Sequence, residues 1–234
     1  MYRLSGSESP WLRRLDHLIC EVPDIEEAME LFTERLGFPV AWPIGRFWPQ
    51  GRTSGVALGG FNLEFLQLDE GAPSAATIRT LVFEPIDLAV ATRRYEEMGI
   101  PMSLREKWEP DPELLRLRGF DEDEARTPQL ICRNLYPSRP APFDFFLCDY
   151  APKLKERLSP SALPSVPAVT QLVLAVPAPA SDGPQIDRLF GTAPNLRPEI
   201  VLSEKPGDLA EVIEIRSERG PLDLPGRASR FRFA

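Results

Sequence analysis

Histidine and cysteine are scarce in this chain, and their scarcity limits the sites that it can build. The 234 residues include one histidine, His17, so a site that needs two histidines from one protomer is excluded. The three cysteines, Cys20, Cys132 and Cys148, are scattered and have no Cys-x-x-Cys spacing. Such a set is a poor disulfide framework and a poor zinc site, so we expect buried, reduced thiols.

An excess of positive charge and long apolar runs are also lacking. The chain has 27 Lys and Arg against 35 Asp and Glu, a net charge of −8, which disfavours a nucleic-acid partner. No apolar run approaches the roughly 20 residues that span a bilayer, and residues 1–9 have no signal-peptide core. With 43% hydrophobic residues, the sequence predicts a cytoplasmic globular protein without a membrane partner, either an enzyme or a binding protein.

The first part of the chain has a β-α-β-β-β pattern. Asp24 is a plausible N-cap, and Gly37 ends a predicted helix that has one apolar face. Four apolar segments flank this helix and predict strands, at residues 15–22, 40–42, 55–58 and 61–68.

Strand parity relates His17 to Glu64. Side chains alternate between the faces of a sheet, so Leu18 and Leu63 would face the helix, while His17 and Glu64 would share the opposite face. A glutamate between Leu63 and Phe65 is costly to bury unless another group pairs with it. The sequence therefore predicts a polar site on the helix-free face.

The pattern recurs twice more along the chain. A second copy spans residues 78–150, with a helix at 87–98 and a charged insertion at 104–127. A third, partial copy carries Gln171 and Glu214 at the positions that correspond to His17 and Glu64.

These repeats predict the following division of the chain. Residues 11–150 form one domain of two modules (15–68 and 78–150), residues 151–167 form a proline-rich linker, and residues 168–234 form the partial third module.

Three motifs resemble the vicinal oxygen chelate superfamily, and more narrowly its glyoxalase-like proteins of the glyoxalase/bleomycin resistance/dioxygenase type. They are Leu-Asp-His-Leu-Ile-x-x-Val-Pro-Asp-Ile at residues 15–25, Arg-Leu-Gly-Phe-Pro-Val at 35–40 and Asn-Leu-Glu-Phe-Leu at 62–66. The resemblance implies an α+β fold, in which paired β-α-β-β-β modules form mixed sheets curled into a cup with the helices outside.

The resemblance also implies metal ligands on the first and last strands of each module. The chain can supply a quartet of one histidine, one glutamine and two glutamates for a divalent ion such as zinc, nickel, manganese or iron: His17, Glu64, Gln171 and Glu214. Module two departs from the pattern, because Thr80 replaces the first ligand and Phe145 or Phe146 the second. If modules one and two pair, as neighbours usually do in this family, only two ligands remain.

The function that the resemblance implies is isomerase- or lyase-type chemistry on a small oxygenated metabolite. The metal would chelate two adjacent oxygens, and Glu64 or Glu214 would remove the acidified proton. A two-histidine iron dioxygenase is disfavoured because the chain has one histidine. The alternatives are a non-catalytic protein that binds or sequesters a small molecule in the same cup, and a third module that covers a sheet edge or mediates a homodimer.

Four side chains are candidates for substrate binding. Arg46, Trp48 and Arg52 cluster before and after a predicted turn, and Arg133 lies in a predicted strand of module two. They could hold an anionic substrate at the mouth of a pocket, although ordinary surface arginines would look the same in the sequence.

Overall fold

Two β-α-β-β-β units share one eight-stranded sheet. The computed structural model describes residues 2–3, 10–138, 144–158, 169–176, 179–190, 199–204, 211–217 and 232–233. After a short β1 (Tyr2–Arg3), the strands of unit one are β2 (Leu12–Glu21), β3 (Val40–Trp48), β4 (Gly51–Ala57) and β5 (Asn62–Leu68). Those of unit two are β6 (Thr77–Pro85), β7 (Met102–Glu109), β8 (Gln129–Pro137) and β9 (Phe145–Tyr150).

The strand order in this sheet is β3-β4-β5-β2-β6-β9-β8-β7, so the first strands of the two units lie side by side at its centre. β2 pairs parallel with β5 and antiparallel with β6, and β6 pairs parallel with β9. The sheet is mixed and curls into a half-barrel, as the α+β prediction required. Units one and two therefore form the cup together.

The first helix of each of these two units begins where the sequence predicted. In α1 (Ile25–Glu30), Asp24 caps the first turn by accepting a hydrogen bond from the backbone amide of Glu27 at 2.9 Å. A π-helical turn (Leu31–Arg35) continues α1, and α2 (Leu88–Glu97) is capped in the same way by Asp87. Short helical segments follow at α3 (Pro112–Leu117), a 3₁₀ turn (Glu124–Arg126) and α4 (Pro152–Arg157). None of the described helices is both long and apolar enough to cross a membrane.

The interpretation of residues 104–127 as an insertion was wrong for its first part. The segment contains most of β7, which pairs with β8 at the edge of the sheet. As an edge strand it leaves Leu104 and Trp108 more than half exposed, and most of its other side chains are charged. An edge strand pairs with one neighbouring strand only and is exposed to solvent along its other side. Its side chains can therefore be charged, and no apolar run marks this strand in the sequence.

The third unit forms a separate five-stranded sheet. Its elements are β10 (Val169–Val176), α5 (Pro179–Phe190), β11 (Glu199–Glu204), β12 (Glu211–Ser217) and β13 (Arg232–Phe233). The strand order is β1-β11-β10-β12-β13, so a strand from the start of the chain joins this sheet. The sequence pattern of the third copy predicts a short helix over residues 185–190, and α5 begins six residues earlier, at Pro179. The proline-rich residues 159–168 lie outside the described residues, and the proposed division into domains stays a prediction.

The two faces of the eight-stranded sheet carry different apolar clusters. Leu18 and Phe83 belong to the larger cluster on the helix side, which also includes Leu172 and Phe190 of the third unit. The ring centroids of Phe83 and Phe190 are 4.6 Å apart. Ile19, Val82 and Phe146 belong to a smaller cluster on the opposite face. Since adjacent residues of a strand face opposite sides, the third unit packs behind the sheet and leaves the concave face open.

Candidate functional site

The predicted pair of His17 and Glu64 lies on the concave face. Their parallel strands are neighbours, and Glu64 stands opposite Ile19. The Nε2 atom of His17 is 3.2 Å from Oε2 of Glu64, and Trp48 Nε1 donates a hydrogen bond to Oε1 of Glu64 at 3.1 Å. Both side chains are at least nine-tenths buried. The glutamate that needed a partner therefore has one, and the partner is the single histidine.

Asp16 holds the other side of the imidazole, and sequence reasoning missed it. Its Oδ2 lies 2.8 Å from His17 Nδ1, and its Oδ1 accepts a hydrogen bond from Arg14 Nη2 at 3.2 Å. Neighbouring residues of a regular strand point to opposite faces, but the pairing of β2 with β6 is irregular between Leu15 and His17. That irregularity is a tertiary feature, so the pattern of the sequence gave no sign that Asp16 and His17 would meet.

The pair carries opposite charges at neutral pH. Burial opposes charge on the imidazole, but the hydrogen bonds and charges of Asp16 and Glu64 outweigh it and raise the pKa of His17 to about 9. Burial likewise opposes charge on Glu64, yet the hydrogen bond and charge of His17 and the charge of Lys107 hold the pKa of Glu64 below its usual value. An imidazolium and a carboxylate therefore face each other in the cavity.

We expect the pKa of His17 to be about 9 in the folded protein, against 6.5 for an unperturbed histidine. Because the chain has one histidine, a proton NMR titration of its imidazole signals is free of overlap from other histidines. The raised pKa stabilises the folded state most fully below pH 6.5, and this contribution is lost as the pH rises through about 9. A His17→Gln variant should lose that part of the pH dependence of unfolding, and a titration midpoint near 6.5 in the wild type would contradict the pairing.

A cavity opens above the pair, and the empty space within it, open solvent included, is about 660 Å³. Trp42 and Phe146 stand edge-on to the His17 ring, with centroid distances of 6.5 and 6.2 Å. The lining combines aromatic and apolar walls with a few polar groups: His17, Trp42, Phe47, Trp48, Thr53, Glu64, Lys107, Leu117, Arg118, Ile131, Cys132, Asn134, Phe146, Cys148, Tyr150, Leu154, Arg157 and Leu158. The cup therefore combines residues from both units.

Two of the cysteines also line the cavity. Cys132 and Cys148 lie on the antiparallel strands β8 and β9, and all three cysteines of the chain are free and buried, as predicted. A hydrogen bond with Cys148, together with the charges of Lys107 and Arg118, lowers the pKa of the Cys132 thiol against the opposing effect of burial. The sequence did not predict that these two thiols would be neighbours, because the distance between them depends on how β8 and β9 pair.

Of the four residues predicted to bind substrate, one lines the cavity. Trp48 stands in its wall and holds Glu64. Arg46, Arg52 and Arg133 lie outside the lining, where they pair with Asp69, Glu26 and Glu106 at the surface. Strand side chains that point to the other face of the sheet, or that lie beyond the rim of the cup, do not face the cavity. The sequence did not show where that rim lies.

The structure does not bring the four predicted metal ligands together. Gln171 and Glu214 lie on β10 and β12 of the second sheet, which packs through Leu172 behind the eight-stranded sheet. In unit two, Thr80 and Phe146 stand at the ligand positions, as the sequence indicated. Among the described residues, no three histidine, cysteine, aspartate or glutamate side chains cluster closely enough to hold a metal. His17 and Glu64 supply two donors, which is fewer than a typical protein metal site has.

Comparison with known proteins gives similarity of fold without similarity of sequence. No protein-family model matches the chain, and no curated protein matches it. A hypothetical protein from Staphylococcus aureus superposes with a TM-score of 0.64 at 7% identity, covering 94% of this chain and 98% of its own.

Two enzymes of known name are also similar. A variant of homoprotocatechuate 2,3-dioxygenase from B. fuscum has a TM-score of 0.51 at 12% identity, over 92% of this chain and 59% of its own. A mutant of 4-hydroxymandelate synthase from Streptomyces coelicolor has a TM-score of 0.50 at 14% identity, over 89% and 71%. This chain has the vicinal oxygen chelate fold. Within that fold, the concave face with His17 and Glu64 is the candidate site.

Proposed function

We propose that this protein of the vicinal oxygen chelate fold is an enzyme that binds a small oxygenated metabolite in its cup and moves a proton through Glu64 and His17. The observation that carries the proposal is the buried pair itself, an imidazole and a carboxylate 3.2 Å apart on the wall of a cavity that both units line. A titratable group in a cavity whose pKa is strongly shifted by burial and a specific charge partner is a candidate for a functional site.

The pair has the groups that proton abstraction next to a carbonyl requires. Glu64 is the base: its carboxylate accepts the proton from the carbon, and the electron pair of the broken C–H bond moves to the carbonyl oxygen. His17 is charged, so its Nε2–H donates a hydrogen bond to that oxygen and stabilises the developing negative charge. With an α-hydroxy carbonyl compound, Glu64 returns its proton to the former carbonyl carbon while the hydroxyl proton passes to the former carbonyl oxygen, which completes an isomerisation. With a compound that has a leaving group on the carbon at the other side of the deprotonated carbon, the enolate electron pair re-forms the carbonyl and expels that group, which completes an elimination.

Asp16 and Trp48 position these two groups. Asp16 fixes the imidazole through Nδ1, so that Nε2 points at the cavity, and Trp48 fixes the carboxylate through Oε1. The rings of Trp42 and Phe146 limit the access of water to the imidazole. No step of this mechanism is routed through a metal, since the described residues contain no group of three histidine, cysteine, aspartate or glutamate side chains that could hold one.

The test is hydrogen–deuterium exchange of candidate substrates in D₂O. A panel of α-hydroxy ketones, α-hydroxy aldehydes and 2-oxo acids is incubated with the protein, and loss of the C–H signal next to the carbonyl is followed by proton NMR. We expect catalysed exchange of at least one class, unchanged by a chelator. Exchange that a chelator abolishes, and that zinc, nickel, manganese or iron restores, would instead favour a metal-dependent reaction in which His17 and Glu64 are ligands.

A second candidate function is binding or sequestration without chemistry. The observation that favours it is that the pair is already satisfied, since His17 and Glu64 hold each other and Asp16 and Trp48 hold their remaining polar atoms. A ligand that raises the melting temperature of the protein but undergoes no exchange would support this alternative.

A further inference from the structure

The cavity collects positive charge in an acidic protein. Its lining contains the basic side chains of His17, Lys107, Arg118 and Arg157, against the single carboxylate of Glu64. The chain as a whole has a net charge of −8. A cluster of one sign inside a low-dielectric cleft raises the local concentration of ligands of the opposite sign.

Two of these cations have no carboxylate partner. Within the described part of the chain, neither Lys107 nor Arg118 forms a salt bridge, whereas Arg46, Arg52 and Arg133 outside the cavity all do. The Nε atom of Arg118 is buried and has no hydrogen-bond partner among the described residues. Burying a guanidinium nitrogen without an acceptor is costly, so Arg118 keeps unmet hydrogen-bonding capacity beside the cavity.

The aromatic residues at the end of β3 hold both cations in place. The Arg118 Cζ atom lies 4.3 Å from the ring centroid of Phe47, and Lys107 Nζ lies 5.4 Å from that of Trp48. Lys107 also donates a hydrogen bond to the backbone carbonyl of Phe47 at 2.6 Å. Both cations come from unit two and meet unit one across the cup, while Trp48 also bonds Glu64. Trp48 therefore contacts both a cation and the carboxylate of the His17–Glu64 pair.

We propose that Lys107 and Arg118 form an oxyanion subsite of the cup, which binds a carboxylate or phosphate group of the ligand. The inference rests on the proposed function in one respect: it takes the cavity as the place where a small molecule binds. The ligand is then an organic anion whose charged end lies on Lys107 and Arg118 and whose apolar body lies between the aromatic walls. Burial and the charge of Arg118 lower the pKa of Lys107, and the charge of a bound anion acts in the opposite direction.

The test compares three probes that share one apolar body: benzoate, phenylphosphonate and neutral benzamide. Trp42 and Trp48 line the cavity, so binding is measured by intrinsic fluorescence and checked by calorimetry. We expect one or both anions to bind the wild type about tenfold more tightly than benzamide, which corresponds to one charge-assisted contact. A preference between benzoate and phenylphosphonate distinguishes a carboxylate from a phosphate subsite.

Substitutions test whether Lys107 and Arg118 cause the preference for an anion over benzamide. Lys107→Met and Arg118→Met should each reduce it, and the double variant should abolish it while leaving the affinity for benzamide unchanged, which also shows that the variant is folded. Arg118→Lys should retain part of it. Arg133→Met is the matched control: it removes one positive charge outside the cavity and should keep the full preference.

The outcomes separate this inference from the proposed function. Equal affinity of the wild type for all three probes, binding of none of them, or a preference that persists in the double variant would overturn the subsite. Anion preference without any deuterium exchange would leave the subsite in place and overturn the proton-transfer function instead.

Discussion

Replacing Glu64 by glutamine should reduce substrate deuterium exchange by about a thousandfold. A general base contributes on the order of 10²- to 10⁴-fold to a proton transfer, and an amide cannot accept the proton at neutral pH. Glutamine keeps the size of the side chain and a carbonyl oxygen that can accept the hydrogen bond from Trp48 Nε1. The cavity should therefore keep its shape, and ligand affinity should change far less than the exchange rate.

Two further variants serve as controls for Glu64→Gln. Glu64→Asp keeps the charge but withdraws the carboxylate by one methylene group, so an intermediate rate is expected. Glu106→Gln makes the same chemical change at an exposed glutamate that pairs with Arg133, and it should leave exchange at the wild-type rate. A Glu64→Gln protein that exchanges its substrate as fast as the wild type would exclude Glu64 as the base.

Replacing Asp16 by asparagine should lower the free energy of unfolding by about 3 kcal/mol. Asp16 is almost fully buried between two cationic groups, His17 at 2.8 Å and Arg14 at 3.2 Å. Removing its charge leaves both cations with less compensation in the interior, and one amide oxygen cannot serve both in the same way. For a chain of this size the loss corresponds to a decrease in melting temperature of roughly 6–12 °C, measurable by thermal or urea unfolding.

Asp69→Asn is the control for Asp16→Asn. Asp69 forms two hydrogen bonds with Arg46, but the pair lies at the surface, where solvent screens the charges, so its loss should barely change stability. The NMR titration adds a second measurement, because Asp16→Asn should also lower the pKa of His17 from about 9. If stability and the His17 titration both stay at their wild-type values, Asp16 does not position the imidazole.

The asymmetry between the units explains how the cup works. Unit one has His17 and Glu64 on β2 and β5, and unit two has Thr80 and Phe146 at the corresponding positions. Unit two instead supplies the cations on β7 and just after α3. In the proposed mechanism the two copies of the pattern therefore contribute different groups to one cavity: unit one the pair for proton transfer, and unit two the cations for the anion.

The sequence alone determined the local features. Periodicity and capping residues located α1, α2 and most strands, because these signals depend on neighbours within a few residues. Strand parity put His17 and Glu64 on one face, since alternation along a strand is a property of the backbone itself. The resemblance of three short motifs indicated the vicinal oxygen chelate fold, and the superposed structures confirm it.

Only the tertiary structure decided which residues and units come into contact. The sequence left open which units pair, and the structure joins units one and two through β2 and β6 and places Gln171 and Glu214 in the sheet behind. It also brought Asp16 to His17 through an irregular pairing, and Lys107 and Arg118 across the cup to Phe47 and Trp48. Such contacts join residues far apart in the chain, and they follow from sheet order, curvature and packing, which no short window of sequence encodes.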